Sequence, residues 1–415
     1  MTSLDAEWLK NPALQQLLQA LGQDGDEARV VGGAVRNTLM GRPVTDMDIA
    51  TTTLPEETIR RVEAIGLKAV PTGIEHGTIT VVSAGQPYEV TTLRRDIETD
   101  GRHAVVTFGR DWQADAERRD FTINALYVSA DGEILDLVGG VGDIEAGNLR
   151  FIGDAETRIL EDRLRILRFF RFFAWYGRGR PDAEGLRAAT RMKDGLERLS
   201  VERVWAELKK LLAAPDPSRA LLWMRQTGVL TKVLPESERW GIDHIHGLVE
   251  AERHRGWEAD SLLRLMAIIP PDPARITEMA RHLKLSNQDR DRLVAFATAE
   301  EPKPAESDKD FRTRLYFGDR QAIIDRLRLA IARTQAKAAQ DAALLGDMAH
   351  LVRQLETAGS FEVPSFPLGG DDLQEAGIAK GPELGRELDR LKRLWAESGF
   401  AMDRQALLAA VRTES

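Results

Sequence analysis

The feature that most constrains the fold of this chain is a change in hydrophobic periodicity near residue 150. After Asp154, nearly every segment has the three- to four-residue apolar spacing of an amphipathic helix, with short Pro or Gly interruptions. Before it, helical stretches alternate with short β-rich runs, which lie at Ala28 to Val31, Thr78 to Val82, Tyr88 to Leu93 and Ile123 to Val128. We therefore predict an α+β protein, with a mixed head followed by an all-helical remainder.

Local signals place several elements within the head. Apolar spacing predicts helices over Glu7 to Leu21, Ala34 to Met40 and Pro55 to Ile65. The segment Ile123 to Leu137, with Asp131-Gly132 at its centre, is typical of a β-hairpin.

Length and composition exclude several classes of protein. At 415 residues the chain exceeds one ordinary core and predicts roughly two to four domains. The sequence contains no cysteine, which excludes disulfides, thiolate zinc sites and cysteine nucleophiles and fits a cytoplasmic location. No apolar run approaches the length of a membrane span, so we expect no membrane partner. Nothing in the sequence indicates an obligate protein partner.

Charge is unevenly distributed along the chain. The net charge of -9 argues mildly against a nucleic-acid partner. However, residues 151–210 carry 14 Lys and Arg against 10 Asp and Glu, and residues 309–337 carry 8 against 3. These stretches are either solvated helix faces or surfaces that bind a phosphate backbone.

Two aspartates spaced two apart indicate a metal site. In an extended strand, alternate side chains share a face, so Asp46 and Asp48 point one way while Met47 and Ile49 point into a core. Two carboxylates on one face repel each other unless a cation lies between them, and Mg²⁺ prefers such oxygen ligands. By itself an Asp-x-Asp pair is more often a solvated loop or a helix cap.

A double glycine lies about a dozen residues upstream. Gly32 and Gly33 allow backbone N–H groups to approach a polyphosphate, with the following helix directed towards it. The segment is neither a Walker loop nor a Gly-x-Gly-x-x-Gly dinucleotide turn. Together, the glycines and the aspartates predict a magnesium-dependent nucleotide site.

The segment Ile159 to Arg168 has a polar stripe that suits base recognition. Its apolar positions, Leu160, Leu164 and Leu167, predict one continuous helix, and a second stripe contains Asp162, Arg165 and Arg168. A carboxylate accepts and a guanidinium donates, so an Asp-Arg pair matches the amino donor and ring-nitrogen acceptor of cytosine and adenine. Uracil and guanine would set a carbonyl against the carboxylate. The alternative is an ordinary solvated helix face with ion pairs such as Glu161 to Arg165.

These motifs together resemble a known family, the class II tRNA nucleotidyltransferases or CCA-adding enzymes, to which the bacterial poly(A) polymerases are related. The resemblance covers roughly residues 28 to 235 and rests on the segments Gly32 to Arg36, Asp46 to Asp48, Glu89 to Arg94, Arg118 to Ala125, the Glu161-Asp162-x-x-Arg165 helix, and Ser200 to Arg203.

The resemblance implies a polymerase-β-like head with helical neck, body and tail domains. Their expected boundaries are 1–150 for the catalytic head, 151–235 for the neck, 236–360 for the body and 361–415 for the tail. The implied activity is template-independent addition or repair of the 3′-terminal CCA of tRNA from CTP and ATP, with release of pyrophosphate.

The resemblance also assigns roles to individual residues. Asp46 and Asp48 would hold two Mg²⁺ ions, one activating the tRNA 3′-hydroxyl and one bridging the incoming triphosphate. Glu89 is the candidate third catalytic carboxylate, or else one half of a cross-strand salt bridge. The implied nucleotide-binding residues are Gly32, Gly33, Arg36, Arg119, Asp120, Asn124, Glu161, Asp162, Arg165 and Arg168.

Within that set, Arg119 and Asp120 match the ribose-reading motif, and Asp162 and Arg165 match the base-reading residues. Glu161 would orient the arginine. The segment 96–110 corresponds to a mobile loop implicated in moving from C to A addition. Asn37 departs from the family pattern, which usually has Asp there and hence one more negative charge near the triphosphate.

The C-terminal segment from Gly369 to Gly385 resembles the tail of bacterial members. Its glycine turns also resemble a helix-hairpin-helix, in which Lys380 and Gly381 would bind tRNA phosphate. The alternative is a helix-helix connection with capping glycines.

Three competing functions remain open at this stage. A bacterial poly(A) polymerase shares the same head, although the Gly101 to Val106 segment lacks that branch's extended basic sequence. A CC-only or A-only adding enzyme is a second alternative, which the intact loop at 96–110 disfavours without excluding. A non-catalytic tRNA-binding module is the alternative from a different class, and the complete carboxylate set argues against it.

Overall fold

The computed structural model describes residues 3–100, 103–238, 242–338 and 341–412. Within them the chain divides into two compact units, Met1–Pro235 and Glu236–Ser415. Strands lie only in the first unit of the described chain, and the second unit is helical. The predicted α+β class, with a mixed head and a helical remainder, is confirmed.

The first unit is built on a seven-stranded sheet with the order β3-β4-β5-β2-β1-β8-β9. Its strands are β1 (Ala28–Val31), β2 (Asp48–Thr51), β3 (Lys68–Gly73), β4 (Thr78–Ser83), β5 (Gln86–Thr92), β8 (Leu126–Val128) and β9 (Ile134–Asp136). Neighbouring strands are antiparallel except β2 and β5, which are parallel. β6 (Arg94–Asp100) and β7 (His103–Phe108) form a separate antiparallel pair.

The helices of the first unit flank this sheet and then continue without strands. They are α1 (Pro12–Leu21), α2 (Gly33–Leu39), α3 (Pro55–Ala64), α4 (Trp112–Glu117), α5 (Gly140–Ala146), α6 (Ala155–Glu161), α7 (Arg165–Tyr176), α8 (Ala183–Met192), α9 (Val201–Leu212), α10 (Ser218–Gln226) and α11 (Val229–Val233). α7 is the most aromatic of them, with Phe169, Phe170 and Phe172 buried. Phe121 and Phe151 of the head pack against that helix, with ring centroids 5.2 Å (Phe121 to Phe172) and 5.5 Å (Phe151 to Phe169) apart.

The helices of the second unit are α12 (Asp243–Arg255), α13 (Ser261–Ile268), α14 (Pro273–His282), α15 (Asn287–Thr298), α16 (Asp308–Phe317), α17 (Arg320–Ala338), α18 (Leu344–Ser360), α19 (Gly370–Glu375), α20 (Pro382–Glu397) and α21 (Arg404–Ala409). One apolar cluster joins α16, α17 and α18, and a second joins α19, α20 and α21. No helix of the described residues combines the length and apolarity needed to cross a bilayer. The finer four-domain division stays a prediction.

Two predicted helices are interrupted, and each interruption has a local cause. The helix expected over Glu7 to Leu21 is a 3-10 turn followed by α1, because the Asn11 side chain caps the backbone N–H of Ala13 and Pro12 occupies the first turn. The single helix expected over Ile159 to Arg168 is also wrong. It breaks at Asp162, which has extended backbone angles.

The break at Asp162 is an Asx turn. Its carboxylate accepts from the backbone N–H of Leu164 at 3.0 Å, a local bond that competes with continued helix. One consequence is that Leu160, expected on the buried stripe, is 59% exposed, whereas Leu164 and Leu167 are buried. The predicted hairpin is confirmed in β8 and β9, although its first residues form a 3-10 turn at Thr122–Asn124.

Candidate functional site

Asp48 is the first residue of β2, and Asp46 lies two residues before it. Met47 and Ile49 are buried while Asp46 and Asp48 are exposed, so the predicted alternation is present. In the parallel pairing of β2 with β5, Asp48 lies directly opposite Glu89. The sheet thus brings a third carboxylate to the two that are close in sequence.

The carboxylates repel one another in this arrangement. Although Asp48 is exposed to solvent, the surrounding protein atoms partly desolvate its carboxylate. This desolvation, followed by the charge of Glu89, raises the pKa of Asp48 above its ordinary value, and Arg119 acts against that shift. Glu89 has no ion-pair partner among the described side chains. Also within the described residues, no three acidic or histidine side chains converge as a ready-made metal site. The role of Glu89 as a third ligand therefore stays a prediction.

The double glycine follows β1 and places a backbone turn beside Asp48. Asp48 pairs with Val31, the residue before Gly32. Gly32 has φ +71°, a conformation that disfavours any side chain. A Cβ there would lie 3.5 Å from the carbonyl oxygen of Asn124 and 3.9 Å from Nη1 of Arg119, so a side chain at this position would narrow the space between the turn and Arg119.

Arg119 is held by a buried acid and a buried phenol. Its Nη2 donates to Oδ2 of Asp115 at 3.1 Å, and Tyr127 donates to the same oxygen at 2.8 Å. Although burial acts against it, the Asp115 charge raises the pKa of Arg119 further above its ordinary value. Burial acts to raise the pKa of Asp115, yet Arg119 and Arg118 keep it below its ordinary value. Arg119 is therefore a fixed cation near Asp48.

Asp120 is the centre of a second polar network. One of its oxygens accepts from Nδ2 of Asn124 at 2.9 Å, and the other accepts from Nε of Arg168 at 2.8 Å. Burial acts to raise the pKa of Asp120, but Arg168 and the Asn124 hydrogen bond hold it below its ordinary value. Asn124 in turn accepts a hydrogen bond from Arg36. The network connects α2, the Asp120 segment and α7.

The base-reading residues have partners other than one another. Asp162 accepts from Arg203 at 2.6 Å, and Arg165 is paired with Glu161 and donates to the carbonyl of Arg158 at 2.9 Å. The Glu161 to Arg165 ion pair, which the solvated-face alternative included, is present. Both the acceptor and the donor are thus held in place by neighbours.

These groups line one cavity of about 500 Å³ in the first unit. Its wall consists of Gly32, Gly33, Arg36, Asp48, Arg118, Arg119, Asp120, Asn124, Asp162, Leu164, Arg165, Arg168, Phe172 and Arg203. The structure therefore brings together every predicted nucleotide-binding residue except Glu161. Glu161 lies outside the cavity wall and forms an ion pair with Arg165. Asp48 is the only one of the three candidate catalytic carboxylates in this wall.

Sequence reasoning missed several residues of the site. Arg203 ends a segment that the family resemblance included, but no role was attached to it. Asp115 and Tyr127 have no local signal, because Tyr127 reaches Arg119 only through the placement of β8. Phe172 belongs to the apolar pattern of α7, which predicts core packing.

The C-terminal candidates lie in the second unit, between α19 and α20. Lys380 and Gly381 are both exposed. Gly377 has φ +97°, so one of the predicted glycine turns has the left-handed conformation. Ile378 is buried in the adjacent apolar cluster, which fixes this connection to the helices. The segment 96–110 forms most of β6 and β7, and its central residues Gly101 and Arg102 lie outside the described residues.

Comparison with known proteins covers both sequence and structure. Residues 28–150 match the Poly A polymerase head domain family, and residues 181–240 match the family described as a probable RNA and SrmB-binding site of polymerase A. The chain is 31% identical to the Mus musculus protein "CCA tRNA nucleotidyltransferase 1, mitochondrial", over 99% of this chain and 92% of that protein. It is 31% identical to a Levilactobacillus brevis CCA-adding enzyme, over 95% of this chain and 96% of that protein.

A solved structure agrees with these relatives. The Bacillus stearothermophilus CCA-adding enzyme in complex with CTP superimposes with a TM-score of 0.75 at 29% identity. The match covers 96% of this chain and 95% of that one. The similarity thus extends beyond the first unit to nearly the whole chain.

Proposed function

This chain belongs to the CCA-adding tRNA nucleotidyltransferases, and we propose how its individual residues carry out that reaction. The enzyme adds or repairs the 3′-terminal CCA of tRNA from CTP and ATP without a nucleic-acid template. The observation that carries the residue-level proposal is the single cavity joining Asp48, the glycine turn and the Asp162 and Arg165 pair. One bound nucleotide can span these three features.

Asp46 and Asp48 are proposed to hold two Mg²⁺ ions. Their carboxylates share a face, and desolvation together with the charges of Glu89 and Asp46 raises the pKa of Asp48, so a cation bound there would relieve the repulsion. Bound there, Mg²⁺ supplies charge stabilisation on the triphosphate and a lower pKa for the attacking 3′-hydroxyl. Glu89, opposite Asp48, adds a third negative charge at this edge, and several arginines line the rest of the cavity.

The arginines and the glycine turn are proposed to position the triphosphate. Arg119 is a fixed cation beside Gly32, and backbone N–H groups of the turn can approach phosphate oxygens closely. In-line attack of the tRNA 3′-oxygen on the α-phosphorus would then release pyrophosphate. Asp120 would accept from the ribose hydroxyls, which favours ribonucleotides.

Base selection is proposed to rest on Asp162 and Arg165. Asp162 accepts from the amino group of cytosine or adenine, and Arg165 donates to the ring nitrogen. Because Arg203 and Glu161 already hold the two side chains, little ordering is required when a nucleotide binds. The site therefore rejects UTP and GTP through mismatched donors and acceptors.

The remaining assignments concern the tail, the compartment and the domains. Lys380 and Gly381 are proposed to contact tRNA phosphate. Unchanged tRNA affinity and salt dependence in Lys380→Ala and Gly381→Val would contradict this.

The cysteine-free sequence supports a cytoplasmic location. The head, neck, body and tail division at 150, 235 and 360 is retained as a proposal.

The decisive experiment sequences the 3′ ends of tRNA transcripts that lack CCA, CA or A after incubation with CTP and ATP, separately and together. Full CCA ends are expected with both nucleotides, and two cytidines with CTP alone. Long adenosine tails would indicate a poly(A) polymerase, and arrest after two cytidines a CC-adding enzyme. No extension, with tRNA binding retained, would indicate a non-catalytic module.

A further inference from the structure

Arg36 is a buried cation without an acidic partner. Its side chain lines the nucleotide cavity and is 7% exposed. Its hydrogen-bond partners are neutral: the amide oxygens of Asn37 and Asn124 and the hydroxyl of Tyr176 accept its hydrogen bonds. Among the described residues, no carboxylate lies within ion-pair distance of it. Burial lowers its pKa from the ordinary value, as expected for a cation whose charge is not balanced.

Four other arginines of the cavity wall, unlike Arg36, each have an acidic partner. Arg119 has Asp115, Arg165 has Glu161, Arg168 has Asp120 and Arg203 has Asp162. Among these five arginines of the described residues, Arg36 is the one without an ion-pair partner. It also lies on α2, immediately after the glycine turn, where an anionic group of a bound nucleotide would meet it.

Tyr176 is the residue that fixes the Arg36 guanidinium. Nη2 of Arg36 donates to the Tyr176 hydroxyl at 2.8 Å, and Cζ of Arg36 lies 4.0 Å from the centre of the ring. The ring also attracts Arg42, whose Cζ is 5.1 Å from the ring centre. An aromatic face partly offsets the cost of bringing two cations together without neutralising either of them.

Tyr176 also ends the helix that carries base-reading residues. α7 begins at Arg165 and ends at Tyr176, and Arg168 lies between them. The same helix therefore carries Arg165, which lines the cavity, and Tyr176, which contacts Arg36 of the cavity wall.

We propose that Tyr176 is a positioning residue that holds Arg36, in its charged and unpaired state, against the triphosphate of the incoming nucleotide. Tyr176 does not touch the nucleotide; it acts through Arg36. This inference rests on the proposed function of the cavity. It adds a link between the nucleotide's phosphates and the helix that reads its base.

The test compares Tyr176→Phe with Tyr176→Ala in the full-length enzyme. Dissociation constants for CTP are measured with Mg²⁺ and without tRNA, and inhibition constants for cytidine, which has no phosphate, are measured in the addition assay. Removing the hydroxyl is expected to raise the dissociation constant for CTP about 3- to 10-fold, and removing the ring about 10- to 30-fold. Cytidine affinity is expected to be unchanged in Tyr176→Phe. The addition assay should show a raised KM for CTP with kcat changed less.

A double-mutant cycle shows whether the effect passes through Arg36. In an Arg36→Ala background, Tyr176→Phe should cause no further loss of CTP affinity. Arg42→Ala is the matched control, because Arg42 contacts the same ring but is absent from the cavity wall. It is expected to change CTP affinity less than about 2-fold.

Several outcomes would overturn the proposal. These are unchanged CTP affinity in Tyr176→Phe, an equal loss for cytidine and CTP, or an undiminished loss in the Arg36→Ala background. Because Tyr176 packs near Phe172, Tyr176→Ala can disturb α7, and Tyr176→Phe then decides the question. A wild-type enzyme that adds no CCA would instead refute the proposed function, so the two failures are distinguishable.

Discussion

The two sides of the nucleotide cavity treat their acids in opposite ways. At the edge of the sheet, Asp48 faces Glu89, and the pKa of Asp48 is raised. Across the cavity, Asp120 is paired with Arg168, and its pKa is lowered. The first arrangement costs the folded protein free energy unless a cation is added, whereas the second stabilises it. The direction of the pKa shift therefore distinguishes Asp48, the proposed metal ligand, from the ion-paired Asp120.

We call the sheet edge with Asp48 and Glu89 the unpaired side of the cavity, and the side where Asp120 is paired with Arg168 the paired side. The largest expected effect comes from neutralising Asp48 on the unpaired side. Asp48→Asn should lower kcat for CTP addition by about 1,000-fold or more, because a ligand for Mg²⁺ and its charge are lost. Thermal stability without Mg²⁺ should stay equal or rise, since repulsion with Glu89 is relieved. The measurements are single-turnover addition to tRNA lacking CCA and thermal unfolding. A clear loss of stability would mean that Asp48 is a structural acid.

The same Asp-to-Asn change on the paired side should lower stability, which is the opposite of the result expected for Asp48→Asn. Asp120→Asn turns an acceptor into a donor in front of Arg168 and is expected to destabilise the first unit by about 2 kcal/mol. Hydrogen exchange should show the loss of protection in Met1–Pro235 rather than in the second unit. Discrimination between CTP and dCTP should also decrease. Equal stability of Asp120→Asn and wild type would remove the distinction between the two sides.

A third change tests Arg165, the proposed hydrogen-bond donor to the base. Arg165→Ala should reduce the preference for CTP over UTP by about 10-fold, because the ring nitrogen of cytosine loses its donor and the ring N–H of uracil no longer faces one. The ratio of kcat/KM values measures it. Arg191→Ala is the control, since Arg191 forms an exposed ion pair with Glu156 outside the cavity wall. Selectivity equal to that of the wild type in Arg165→Ala would contradict the assignment.

The unpaired side was the easier one to predict from sequence. Asp46 and Asp48 alternate with buried Met47 and Ile49, and a period of two is a local property of an extended chain. The glycine turn and the switch to helices near residue 150 are equally local. Glu89 was named from its segment, but its register opposite Asp48 depends on how two strands pair.

The contacts on the paired side could not be predicted in this way, because sequence periodicity does not reveal contacts between distant parts of the chain. The helical spacing continues through Asp162, so the Asx turn that breaks the helix there was not predicted. Arg203 reaches Asp162 from 41 residues away, and Tyr176 reaches Arg36 from 140. The resemblance identified which residues matter, but the ion pairs and hydrogen bonds that hold them came only from tertiary structure.

The smallest expected effect concerns pH, and it separates the two sides without a mutation. The stability from Asp120 is fully present above the ordinary Asp pKa of about 3.9 and is lost as the pH falls through its lowered folded pKa. For Asp48 the sign is reversed: its ionised form opposes folding, and this penalty disappears as the pH falls through its raised pKa. The proposed binding of Mg²⁺ needs Asp48 ionised, so the acidic limb of kcat/KM should lie above the pH at which the first unit unfolds. Raising Mg²⁺ tenfold should move that limb down by about half a pH unit, because the cation competes with the proton. An acidic limb that is independent of Mg²⁺ would place the titrating group elsewhere, and one that coincides with unfolding would assign it to the paired side.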